Sequence, residues 1–314
     1  MQIGYTLSSE EHDPRTLVTN AVRADAEGFD FVSVSDHFHP WVDAQGQSPF
    51  VWSTLGAVAS STEWVGIGVG VCCPIMRIHP AIVAHAAATV SALSGGRFFL
   101  GVGTGELLNE HVLGQPWPRI ETRRAMLTEA VEVIRRLWTG TEVSFDGEHF
   151  SVENARLYTL PDGEIPIVMS AFGSEAAEAA ADSGCGLWTT APDEDVVTTY
   201  LRSGGRGEIV GQLRLCWADD SDQAIDTVHE VWPTAGLQGQ LSQELATPGL
   251  FEAACATVRR EDIDTSLCGP DPQPVLDALA QYEDAGYTKV HLHQVGADQE
   301  GFFRFWRDEL RPKL

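Results

Sequence analysis

Lysine is almost absent from this chain. Lys289 and Lys313 are the only two in 314 residues, and 20 basic side chains face 45 acidic ones for a net charge of −25. Such a surface repels phosphate backbones and anionic bilayers, which sets aside nucleic acid and membranes as partners. No apolar run reaches membrane-spanning length. The start, Met1-Gln2-Ile3-Gly4-Tyr5, carries neither the basic residues nor the apolar stretch of a secretory signal, so the cytoplasm is the expected location. The six cysteines (Cys72, Cys73, Cys185, Cys216, Cys255, Cys268) contain no Cys-x-x-Cys, which argues against zinc or dithiol redox chemistry and for buried free thiols.

The acid excess suggests a halophilic protein. Self-repulsion eases as the Debye length falls from about 8 Å at physiological ionic strength to about 3 Å in molar salt. A GC-rich genome favouring arginine would explain scarce lysine but not the excess of acids. The unfolding midpoint should therefore climb from low to molar KCl, and a flat response would remove the reading.

What is present is a core-forming composition, 43% hydrophobic, in a regular alternation of strands and helices. A strand at 2–7 is followed by a helix that Asp13-Pro14 opens and that ends near Gly28. The strand 30–35 and the glycine-interrupted strand 64–71 flank a helix at 50–60. Helix 80–93, strand 97–102 and helix 119–138 follow, and Asp146-Gly147 predicts a turn in a small β excursion over 143–150. Strands at 165–169, 185–190, 208–218 and 289–294 alternate with helices at 174–183, 193–203, 221–231 and 272–285, with a closing helix at 300–310. Residues 233–268 break the rhythm and read as an irregular insertion. Eight βα-like units without a linker predict one (β/α)8 TIM barrel over 1–314, with its chemistry at the C-terminal ends of the strands.

Five stretches with unusual chemistry fall at such ends. Asp36-His37-Phe38-His39-Pro40-Trp41 terminates a β-branched run in acid, imidazole and indole. Gly101-Val102-Gly103-Thr104-Gly105-Glu106 lets backbone approach a ligand and then delivers a carboxylate. Gly68 to Pro74, with Gly70, Val71, Cys72 and Cys73, ends a strand in small residues suited to lie under something flat. Ser170-Ala171-Phe172-Gly173-Ser174 opens a helix, where free N–H groups suit a phosphate and Ser174 equally suits a plain N-cap. His291 and His293 share one face of a strand. His37, His39, His291 and His293 around a barrel mouth leave a metal-dependent hydrolase open as one reading. Trp41 beside glycine-rich strand ends favours a flat aromatic ligand and no metal.

The segments Ser33 to Trp41, Arg77 to Ala81, Gly101 to Glu106 with Asn109-Glu110, and Phe145-Asp146-Gly147 together resemble the luciferase-like barrel superfamily. Within it they are most similar to the deazaflavin-dependent glucose-6-phosphate dehydrogenases. The resemblance implies coenzyme F420 as cofactor, with FMN as the alternative, in a homodimeric enzyme acting on a small alcohol or sugar. It implies His37 as the base that takes the hydroxyl proton, Trp41 as support for the reacting centre and Glu106 as the acid near the ring. Asp36 would line the cofactor's edge, with Cys73, Gly105 and Ser170 nearby. Gly70-Val71 would be a cis peptide behind the ring, and Asn109, Gly173 and Ser174 would hold the polar tail.

The sugar phosphate of that subgroup is held by lysines and an arginine after the sixth strand and in the late insertion. Here the matching stretch is Thr190-Ala191-Pro192-Asp193-Glu194-Asp195, and 185–288 holds no lysine. Arg202, Arg206, Arg214, Arg259 and Arg260 are expected in helix-surface salt bridges. An alcohol or unphosphorylated sugar is therefore the expected substrate. The alternatives are a sugar 6-phosphate, an oxygen-using flavin monooxygenase, and a non-catalytic cofactor-binding protein.

Overall fold

The computed structural model describes residues 1–237, 239 and 241–314. In chain order these form β1 (Gln2–Leu7), α1 (Pro14–Ala26), β2 (Phe31–Val34), α2 (Val51–Ser61), β3 (Gly66–Cys72), α3 (Pro80–Leu93), β4 (Phe98–Val102), α4 (Leu107–Glu110) and α5 (Ile120–Trp138). A hairpin of β5 (Val143–Asp146) and β6 (Ser151–Ala155) precedes β7 (Ile167–Ser170), α6 (Ser174–Asp182), β8 (Gly186–Thr189), α7 (Glu194–Arg202), β9 (Ile209–Leu215) and α8 (Ser221–Val231). After α9 (Leu241–Glu244) and α10 (Pro248–Cys255) come α11 (Gln273–Asp284), β10 (Lys289–Gln294) and α12 (Gln299–Phe305). Among the described residues, eight parallel strands close into a barrel in the order β1-β10-β9-β8-β7-β4-β3-β2, as the alternation predicts. No helix among them is long and apolar enough to cross a membrane.

Local chemistry sets the element starts. Asp13 caps α1 by accepting from the N–H of Arg15 (2.9 Å) and Thr16 (3.2 Å), with Pro14 in the first turn where its missing N–H costs nothing. The Asp146-Gly147 turn is longer than two residues. The N–H groups of Glu148, His149 and Phe150 donate to the Glu129 carboxylate of α5 at 3.0, 3.0 and 2.7 Å, so Glu129, on the wet face by helical periodicity, pins the hairpin instead.

The lower barrel is filled, which leaves the chemistry to the mouth. Lys289 pairs with Glu208 at 2.7 Å and lies 5.5 and 5.4 Å from the ring centres of Phe31 and Phe99. Above them Trp188 packs on His291 at 4.6 Å, in the space that Gly70 leaves for want of a side chain. His291 lies inside this plug, not on the rim. Its Nδ1 meets the hydroxyls of Thr6 (2.6 Å) and Ser33 (3.0 Å), and burial, with the neighbouring His293, pushes its pKa down to about 3. That histidine is a neutral packing element.

The 233–268 segment lies between the seventh and eighth barrel strands, with residues 238 and 240 outside the described set. Its Phe251 stands edge-on to Trp41 at 5.1 Å and joins Val42 and Leu108 in a small apolar cluster. The segment thus buttresses the loop after β2.

Candidate active site

The mouth is built from the loops after β1, β2, β3 and β4. His37 Nδ1 lies 3.2 Å from the carbonyl of His39, which fixes the proton on Nδ1 and leaves Nε2 as the basic nitrogen. That nitrogen faces two carboxylates, Glu106 Oε2 at 3.4 Å and Glu10 Oε1 at 3.6 Å. Trp41 tilts across the imidazole with ring centres 5.0 Å apart. The three predicted catalytic side chains therefore meet.

Glu106 is the N-cap residue of α4 and keeps 30% of its side chain open to the mouth. Burial pushes its pKa up to about 7; the charges of Glu10 and Glu110 act in the same direction and His37 opposes them. At neutral pH this carboxyl can both hold and release a proton.

The placements of Asp36 and Asn109 differ from the sequence expectation. Asp36 has no side-chain exposure: its Oδ1 lies 2.8 Å from Arg77 Nη2, which also donates to the Asp36 carbonyl at 3.2 Å. The same arginine approaches Glu110 through Nε (3.5 Å), and its backbone N–H donates to Glu110 Oε2 at 2.8 Å. Asp36 thus lies behind the mouth in a buried Asp-Arg-Glu triad. Asn109 is also buried, with both amide ends bound within the protein. Its Oδ1 accepts from the N–H of Phe38 (2.9 Å) and His39 (3.3 Å), and its Nδ2 donates to Glu106 Oε2 (3.1 Å). The loop carrying His37 and the helix carrying Glu106 are fastened to each other through both of these groups.

Beside them, the Gly70–Val71 peptide is cis, where the resemblance implied it, and the β3–β4 register shifts between Val69 and Cys72. β4 closes on this bulge because Gly101 and Gly103 have no Cβ: one on Gly101 would lie 2.2 Å from the Val69 carbonyl oxygen, and one on Gly103 2.8 Å from Val71. Gly105 needs its φ of +77°, and a side chain there would strike the Cys73 sulfur at 2.5 Å, so Cys73 lies buried beneath the glycine turn. Ser170 is half-buried at the end of β7. At the neighbouring helix Gly173, not Ser174, is the N-cap; Ser174 is the first helical residue, no side chain caps the end, and the space over Gly173 is open.

The other predicted histidines do not converge. His39 Nδ1 meets the carbonyl of Leu108 at 3.0 Å, His293 Nε2 meets Glu11 at 3.3 Å, and His291 is inside the barrel. Among the described residues no group of three or more His, Cys, Asp or Glu is arranged to hold a metal.

The sequence model of the luciferase-like monooxygenases matches residues 1–289. The chain belongs to that family. Among its curated relatives is the F420-dependent glucose-6-phosphate dehydrogenase of Segniliparus rotundus, 34% identical with 100% of this chain and 98% of the relative covered. The enzyme of the same name from Mycobacterium tuberculosis is 32% identical over the same shares. Among solved structures, an F420-dependent secondary alcohol dehydrogenase bound to an F420–acetone adduct superposes with a TM-score of 0.91 at 30% identity, covering 99% of this chain and 98% of the other. The tetrahydromethanopterin reductase of Methanopyrus kandleri shares the fold, with a TM-score of 0.81 at 20% identity and 99% of each chain covered.

For this luciferase-like barrel, sequence reasoning missed Glu10 altogether and gave no role to Arg77 or Glu110. The pair Glu10-Glu11 directly after the first strand was the available signal, since acids at a barrel strand's C-terminal end face the mouth.

Proposed function

We propose that the chain is an F420-dependent oxidoreductase moving a hydride between the deazaflavin and the hydroxyl-bearing carbon of an alcohol or unphosphorylated sugar. The observation that carries this is the mouth itself, where His37 Nε2 stands between the carboxylates of Glu106 and Glu10 beside the Gly70–Val71 bulge. The bulge, floored by glycines that a Cβ would obstruct, fits a flat ring system, and the open, uncapped start of α6 at Gly173 and Ser174 fits a phosphate. F420, when bound, supplies a ring carbon that accepts or returns the hydride.

The protein's part is proton handling and positioning. His37 Nε2 accepts the hydroxyl proton as the hydride leaves the carbon, and Trp41 walls the reacting centre against water. Glu106, when protonated, donates into the mouth, where negative charge grows as hydride is delivered. Glu10 stabilises the imidazolium that forms. Asp36, Arg77, Asn109 and Glu110 hold these groups in register, and Cys73, Gly105 and Ser170 shape the floor.

The pH dependence tests the division of labour. Oxidation needs Glu106 protonated, so kcat should fall as pH rises through about 7, and the reverse reduction, which needs the carboxylate, should gain over the same range. Glu106→Gln should lower kcat by about 10- to 100-fold and flatten that limb in both directions. A limb that persists unchanged in Glu106→Gln rules Glu106 out as the acid.

A further inference from the structure

Arg214 was expected on a helix surface and is instead inside the barrel. It pairs with His293 in the β9–β10 register, and His291 pairs with Gln212, so Gln212 and Arg214 project inward with the two histidines. The guanidinium lies 5.3 Å from the centre of the Trp232 ring, and its Nε is buried without an acceptor. Among the described residues neither Nη nitrogen has a hydrogen bond or ion pair, although the residue remains partly open at the mouth. Burial pushes its pKa down, with Glu11 and Tyr282 opposing the shift.

The nearest carboxylate does not need it. Glu11 accepts from Ser8 Oγ (2.9 Å), Trp232 Nε1 (2.7 Å), the Gly296 N–H (2.7 Å) and His293 Nε2 (3.3 Å). Burial raises the Glu11 pKa, but His293, Trp232 and Gly296 together hold it down at about 2, so the carboxylate is already satisfied as an anion. By contrast, Arg259 and Arg260 are in surface ion pairs, as predicted.

We propose that Arg214 binds a carboxylate of the substrate, so that the compound oxidised is a hydroxy acid carrying a single negative charge, with its hydroxyl at His37 and its acid group at the β9 rim. This rests on the hydride-transfer reading above. In barrel order β2, β1, β10 and β9 are consecutive, so the base and the guanidinium stand three strand spacings of about 4.8 Å apart along the wall. Arg214 reaches inward from β9 over part of that distance, which leaves the remainder for a compound of several carbons. A guanidinium matches a carboxylate in a two-pronged hydrogen bond. A phosphate dianion would bring a second charge into a mouth lined by Glu10, Glu11 and Glu106. The neighbouring cation Arg77 is held by Asp36 and Glu110, and Lys289 lies at the far end of the barrel on Glu208.

The test has two arms. In steady-state assays with F420, glucose, glucuronate and glucose 6-phosphate differ only at C6. The parent should favour glucuronate, and Arg214→Met should raise its KM by about 100-fold while leaving glucose unchanged, with Arg214→Lys in between. Separately, calorimetric titration of acetate into the protein without cofactor should show binding that Arg214→Met abolishes and Arg214→Lys weakens; circular dichroism confirms that both variants are folded. Equal acetate heats in parent and Arg214→Met overturn the proposal and leave Arg214 a partner of Glu11 and Trp232. A parent preference for glucose 6-phosphate that depends on Arg214 overturns the carboxylate assignment. Acetate binding that depends on Arg214, without F420-linked turnover of any sugar, upholds the anion site and rejects the hydride-transfer reading instead.

Discussion

His37→Ala should lower kcat for the F420-linked oxidation by about 10²- to 10⁴-fold, the usual contribution of a positioned general base. The expectation rests on the single free nitrogen of that ring. With Nδ1 committed to the His39 carbonyl, Nε2 is the basic atom set between Glu106 and Glu10. The two acids keep other donors after the substitution, Asn109 Nδ2 to Glu106 at 3.1 Å and Ser35 Oγ to Glu10 at 2.7 Å, so the loop should survive without the imidazole. The loss should appear in kcat with F420 affinity nearly unchanged, and free imidazole should restore part of the rate. Single-turnover measurements of deazaflavin reduction provide the check. A rate equal to the parent's would mean that the barrel binds its cofactor without using this histidine, and the non-catalytic reading would take over.

Arg77→Met should have the largest effect on stability. Its guanidinium lies between Asp36 and Glu110, and the three side chains are 7%, 0% and 1% exposed, so solvent cannot replace it. Removing one partner of a buried ionic group leaves uncompensated charge and costs about 3–5 kcal/mol. Here two carboxylates are stranded, and burial already pushes Glu110's pKa up with the arginine present. The urea midpoint should drop accordingly. Adding Asp36→Asn and Glu110→Gln to Arg77→Met should recover most of the loss, because the penalty lies in stranded charge more than in lost attraction. Catalysis should not recover with stability, since the triple variant still lacks the Asp36–Arg77–Glu110 fastening between the His37 loop and α4; a triple variant with full kcat would refute that positioning role.

Much of the fold was legible because each barrel strand is buried on both faces and is bounded by residues with strong local preferences. Asp13-Pro14 starts a helix wherever it is placed, and the run Phe31 to Val34 is a strand that ends as polar chemistry begins. The site was half legible for a related reason. His37, Trp41 and Glu106 lie in two short stretches whose residue types have no purpose in a turn, and their spacing matched a family. Nothing local, however, distinguishes Asn109 facing a ligand from Asn109 bridging Phe38 and Glu106, because its partners lie 71 and 3 residues away.

The sequence by itself determined the barrel, which follows from hydrophobic periodicity. Through its resemblance to the luciferase-like superfamily it implied the family, the cis peptide position and the set His37, Trp41 and Glu106 that the structure brings together at the mouth. Only the tertiary structure decided which charges are spent on the protein and which remain free. Asp36 turned out to be neutralised by Arg77 behind the mouth, Glu129 to clamp a hairpin, and Arg214 to stand inside the barrel without an acceptor among the described residues. Strand alternation shows that Gln212 and Arg214 share a face. Which face points inward depends on the register with β10, a strand more than 70 residues further along the chain, and burial, not residue type, then decides whether a charge is paired or left for a ligand.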